Sequence, residues 1–118
     1  MNRLEKGKKG EDAAAEYLQS LGFEILERNF RLAGGEIDII AEESGTLVFI
    51  EVRSRQGTRY GLPQETVNYL KQHKVRKMAA FYLKTKGLWD KNCRFDVIGV
   101  LFDQEGNIKA IDHIRDAF

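Results

Sequence analysis

Little in the sequence favours redox, zinc or membrane chemistry. A single cysteine, Cys93, rules out an internal disulfide, and no Cys/His grouping has zinc-ligand spacing. That usage fits a reducing compartment. The lone proline, Pro63, and the absence of repeats, low-complexity tracts or Gly/Ser linkers lead us to expect one continuous domain, 1–118. No apolar run approaches the roughly 20 residues that span a bilayer, and Met1 to Gly10 is charged, unlike a secretion signal. A cytoplasmic protein without membrane contact is therefore expected. There is no His-Glu-x-x-His, phosphate-cradling Gly-rich loop or nucleophile elbow, and the two histidines, His73 and His113, stand apart and read as structural.

What is present is ordinary for a packed fold: 118 residues, 42% hydrophobic and 31% charged, enough for a core without disulfides or a structural metal. The net charge of +1 conceals a strong segregation. From Arg53 to Arg94 there are eleven Lys/Arg against two acids, Glu65 and Asp90, whereas the rest carries eight bases and sixteen acids. A polycationic middle suggests a polyanionic partner, nucleic acid first.

Periodicity gives the element order αβββαββ. Leu4, Ala14, Ala15, Leu18 and Leu21 recur at helical spacing and Gly22 stops the helix. Phe23 to Arg31 reads as a strand with Phe23 and Ile25 inward. Glu36 to Ala41 and Thr46 to Val52 form a hairpin around Glu43-Ser44-Gly45, its second arm apolar on both faces as in a central strand. Pro63 suits the first turn of a long helix running to about Lys86 and ending at Gly87. Arg94 to Phe102 and Ile108 to Ile114 are the last strands. The class is α/β or α+β, a mixed sheet with helices packed against it.

Three acids stand out. A turn centred between Ser44 and Gly45 puts Asp38 opposite Glu51 and Glu36 opposite Arg53, all on one face. Carboxylates facing one another repel, so the arrangement needs a cation. The alternative is a solvated polar face, yet Leu47 and Phe49 share the face of Glu51, which turns abruptly from apolar to ionic. Glu11 falls on the apolar arc of the first helix rather than beside Asp12 and Glu16. Such an acid is hydrogen-bonded, protonated or metal-bound, a local pairing with Lys8 being the plainer option. Together these acids suit a hard divalent ion, Mg²⁺ or Mn²⁺.

Glu11, Gly35-Glu36-Ile37-Asp38-Ile39-Ile40-Ala41 and Phe49-Ile50-Glu51-Val52-Arg53-Ser54-Arg55 together resemble the small bacterial YraN-like family. That family is similar to archaeal Holliday-junction resolvases and to the restriction-endonuclease-like, PD-(D/E)xK superfamily. Asn29-Phe30-Arg31, Val67, Lys71, Ala79-Ala80, Tyr82-Leu83 and Arg94-Phe95-Asp96-Val97 extend the resemblance over nearly the whole chain. It implies a mixed sheet flanked by helices, with Asp38, Glu51 and the Val52 carbonyl as metal ligands, Glu11 as an accessory acid and phosphodiester hydrolysis as the chemistry. A homodimer is implied as well.

The departure is Arg53, where the superfamily motif has lysine. Arginine can hold a phosphate but cannot shed its proton to act as a base. Either the metal alone generates the nucleophile or a lysine of the long helix, Lys71 or Lys74, takes over. Asp96 reads as a structural acid, and Tyr60, Tyr69 and Trp89 as aromatics open either to base stacking or to packing. Arg53, Arg55, Arg59, Lys71 and Lys74 are the expected phosphate contacts. The leading expectation is a metal-dependent endonuclease for structured or branched DNA; the alternatives are a binding module that has lost cleavage and a dimeric protein scaffold.

Overall fold

The computed structural model describes residues 1–32, 34–57 and 61–118. Asn2 starts the first helix, its side chain accepting from the Glu5 N–H, and α1 runs Arg3–Ser20. Strands β1 (Glu24–Leu32), β2 (Gly35–Glu43) and β3 (Thr46–Gln56) follow, then a 3₁₀ turn (Pro63–Thr66), α2 (Tyr69–Lys86), β4 (Cys93–Phe102) and β5 (Ile108–Ile114). The five strands form one sheet in sequence order, antiparallel except for the parallel β3–β4 pair that α2 bridges. This is the α/β architecture expected, a mixed sheet flanked by helices.

Hairpin β2–β3 is set by its turn. Ser44 and Gly45 both take positive φ (49° and 83°), the two-residue geometry whose twist matches the flanking strands. The register runs from Glu43 opposite Thr46 to Ile39 opposite Ile50, as the sequence indicated. There the ladder stops, and the strands part at Asp38 and Glu51.

Two layers close the sheet. On one face α1 lays Ala14, Ala15 and Leu18 on Ile39, Val48 and Ile50. On the other, α2 lays Val75, Met78 and Tyr82 on Ile40, Leu47 and Phe49. Each large side chain so buried contributes about 1.5–3 kcal/mol, and the central strand β3 serves both layers. Gly10 lets α1 come close, since a Cβ there would collide with the Ser54 side chain.

Three expectations need correction. The long helix does not begin at Pro63: a 3₁₀ turn ends at Thr66, and Asn68 then caps α2 by accepting from the Lys71 N–H. Leu4 and Leu21 are exposed, because only the stretch from Gly10 to Leu18 lies against the sheet. Ile37 turns to the α2 layer while Ile39 turns to α1, so β2 does not alternate regularly through Asp38. Among the described residues, no helix is long and apolar enough to cross a membrane.

Candidate metal centre and nucleic-acid interface

Irregularity in β1 and β2 shapes the site. Asn29 takes φ 54° inside β1, a left-handed conformation that asparagine tolerates better than most residues. Around it the register passes from Arg28–Ile39 to Phe30–Ile37 without an Asn29–Asp38 pair. Asp38 therefore sits where β2 has lost its ladder to both neighbours. Its Oδ2 instead accepts the Val52 N–H at 2.8 Å, a side chain standing in for a missing strand carbonyl.

Glu11, Glu36 and Asp38 converge: each offers a carboxylate oxygen, and these lie within 4.8 Å of one another. With the Asn29 amide oriented so that its nitrogen faces the acids, it donates to Glu11 Oε1 at 3.0 Å and to Glu36 Oε1 at 3.1 Å. One neutral side chain thus aligns two of the three carboxylates. Glu36 does not face Arg53 as the hairpin register implied. The ladder ends before it, and Glu36 pairs across β1 with Arg31, Nε to Oε2 at 3.3 Å.

Glu51 is a different case. Its side chain is only 1% exposed and is met by two cations, Lys71 Nζ at 3.3 Å and Arg53 Nη2 at 3.7 Å, both from Oε1. Its Oε2 accepts weakly from the Asp38 N–H at 3.4 Å. Arg53 also reaches to 4.0 Å from Asp38 Oδ2 and donates to the Val52 carbonyl at 3.1 Å. The carbonyl expected to face a metal is therefore hydrogen-bonded to the guanidinium.

Glu11, Asp38 and Glu51 all resist ionisation. Burial and then the Asp38 charge push Glu51 up to about 7, outweighing Lys71 and Arg53. Burial also raises Asp38, against the Val52 hydrogen bond and Arg53. Glu11 is raised by burial and then by Asp38, with Arg28 opposing. Carboxyls pushed above their usual range are what packing acids together without a bridging cation produces.

The basic residues divide. Lys71 and Lys74 line an open groove of about 600 Å³ with Arg31 and Glu36, so Lys71 points inward to the acids while its neighbour Leu70 is exposed. Arg55 donates to the Ser54 carbonyl at the end of β3. Arg59 and Tyr60 lie outside the described residues. Tyr69 and Trp89 are exposed. Asp96 is fully buried and belongs to a separate network, accepting from Arg94 Nε at 3.0 Å and the Asp116 N–H at 3.0 Å. His113 binds it through Nε2 at 2.8 Å and meets the Tyr17 hydroxyl at 3.1 Å through Nδ1. Burial works to raise Asp96, yet the bonds from His113, Arg94 and Asp116 outweigh it and hold the carboxyl below its usual range. Asp96 and His113 are thus structural, as the sequence suggested.

A model of the uncharacterised protein family UPF0102 matches residues 10–100, which span every acid and base of this cluster. The chain belongs to UPF0102. That membership agrees with the YraN-like resemblance seen in the motifs. A UPF0102 protein of Desulforamulus reducens is 51% identical over 99% of this chain and 98% of its own. Relatives from Persephonella marina, 49% identical over 96% of this chain and 92% of theirs, and Dictyoglomus turgidum, 41% identical over all of both chains, carry the same description. These three relatives thus match over nearly the whole chain rather than over one segment.

Two site residues escaped the sequence reading. By sequence Glu36 belongs to the patch but not to the ligands, and Asn29 enters only through the resemblance. The signal for Asn29, an asparagine in a strand opposite an acid, becomes legible only once its positive φ is known.

Proposed function

We propose that this UPF0102 protein binds nucleic acid, structured or branched DNA as the leading substrate class, and hydrolyses a phosphodiester bond at a Mg²⁺ or Mn²⁺ ion held by Glu11, Glu36 and Asp38. One observation carries the reading: three carboxylates from a helix and a strand bring oxygens within 4.8 Å of one another, beside a lysine and an arginine. A donor set made only of carboxylate oxygens suits a small, hard cation. When bound, such an ion polarises a phosphate oxygen and makes water a better nucleophile.

The chain's own residues prepare that chemistry. Asn29 orients Glu11 and Glu36, and the Val52 N–H fixes Asp38. Lys71 and Arg53 carry positive charge to the edge of the cluster, where phosphate oxygens would bind. Lys71 also answers the substitution at Arg53, since an ammonium can release a proton and a guanidinium cannot. Glu51, expected as a ligand, is held by Lys71, so an ion must compete with an ammonium for it.

That competition, with the Arg53 bond to the Val52 carbonyl, favours a second reading in which the protein binds nucleic acid without cutting it. Calorimetric titration with Mn²⁺ and a nicking assay on branched DNA separate the two. Metal-dependent nicks lost in Asp38→Asn support the nuclease; DNA binding with neither nicks nor metal uptake leaves only the binding module.

A further inference from the structure

Helix α2 covers β2 and the near part of β3, and beyond it, among the described residues, the same face of the sheet is left open over β3, β4 and β5. The register builds that open floor in two rows: Arg53, Gly99 and Asp112 side by side, then Arg55, Leu101 and Ala110. Residues two apart on a strand share a face, so the first row lies one step, about 7 Å, beyond Glu51. The 3₁₀ turn makes a side wall. Its Pro63 rests on Gly99 so closely that a Cβ at that glycine would strike the ring. The result is a groove of about 580 Å³ with a mainly apolar lining, the arginines of β3 on one side, Asp112 of β5 on the other and Glu65 in the turn that walls it.

We infer that this groove receives an unpaired nucleotide adjoining a phosphate met by Arg53 and Lys71 at the edge of the carboxylate cluster. The inference rests on the proposed nucleic-acid function and narrows its substrate to strands with an unpaired base beside the bound phosphate. Arg53 belongs to both places, lining the groove and meeting Glu51. Bases within a duplex are stacked and paired, whereas a single-stranded base can lay its apolar face on a flat floor. The polarity of the groove matches such a guest. Arg53 and Arg55 complement its phosphates, and Asp112 across the sheet can accept from an exocyclic amino group.

The test compares binding of a blunt duplex with that of the same duplex bearing a short adenine tail, by fluorescence anisotropy without divalent ions. The tailed DNA should bind about tenfold tighter, within the range of one base contact. Ala110 is exposed on an edge strand, so Ala110→Leu fills the groove without touching the core. It should abolish the preference while leaving blunt-duplex affinity unchanged, and Ala110→Ser should keep the preference. Equal affinity of the wild type for both DNAs overturns the inference, as does a preference that survives Ala110→Leu, which would give the groove to another occupant such as a partner protein. If neither DNA binds, the nucleic-acid reading fails and this inference with it. A tail preference in a protein that takes up no Mn²⁺ would sustain the groove and remove only the metal centre.

Discussion

Glu51 shows most clearly what the site demands of single residues. Its folded-state acidity sits near 7 against an ordinary 4.5, so between those values the folded protein binds more protons than the unfolded chain. Stability of the metal-free protein must then fall as pH rises through that window, by up to ~3 kcal/mol. Glu51→Gln should flatten the decline, read from urea denaturation in EDTA at pH 4.5 and pH 7.5. A steep decline persisting in the variant would assign it to Asp38 or Glu11. Arg53→Lys bears on catalysis instead. It should raise Mg²⁺-dependent nicking under the nuclease reading, and unchanged rates would count against residue 53 as the limiting departure. The register from Glu43–Thr46 to Ile39–Ile50 is readable because Ser44-Gly45 dictates the hairpin, and it leads to Asp38 and Glu51, where the strands part. The partners of Glu36 were not, because the ladder stops where the acids begin.

Among the elements, α1 delivers Glu11 through a close contact at Gly10, and the contact can be pried open. Gly10→Leu should push the helix from Ser54 at a cost of about 1–3 kcal/mol and weaken Mn²⁺ uptake more than a distant substitution of equal stability cost. Calorimetry of both variants at matched folded fraction distinguishes the two effects. At the start of α2 the cap was available to sequence reading, yet Pro63 offered a competing start signal five residues earlier. Asn68→Ala should cost about 1 kcal/mol in thermal unfolding, whereas an equivalent change at Gln64 should not. The exposed Leu4 and Leu21 show the limit of periodicity, which reports a helix's apolar arc but not the length of sheet beneath it.

At the scale of the whole molecule, the charge asymmetry of the sequence becomes a spatial one. Lys71, Lys74 and Lys77 line the rim beside Met78, while the acids gather at the parted strand ends. Nucleic-acid affinity should therefore drop steeply with salt, and Lys74→Ala should lessen the slope of log affinity against log salt by about 1. A slope near zero would point to a protein partner. Composition announced the polycation, but the groove beyond Arg53 needed the parallel register of β3 and β4, which no local pattern specifies.

That parallel pairing also governs when the site can exist. Leu47 meets Cys93 across the sheet, so during synthesis the hairpin emerges with its acids long before the strand that flanks them and the helix that brings Lys71. Until then Glu51 remains open to water, its proton given up as readily as in any unfolded peptide. The nascent chain is thus spared a buried charge until its counterion arrives, and no N-terminal fragment ending before α2 should show the altered acidity of the finished protein.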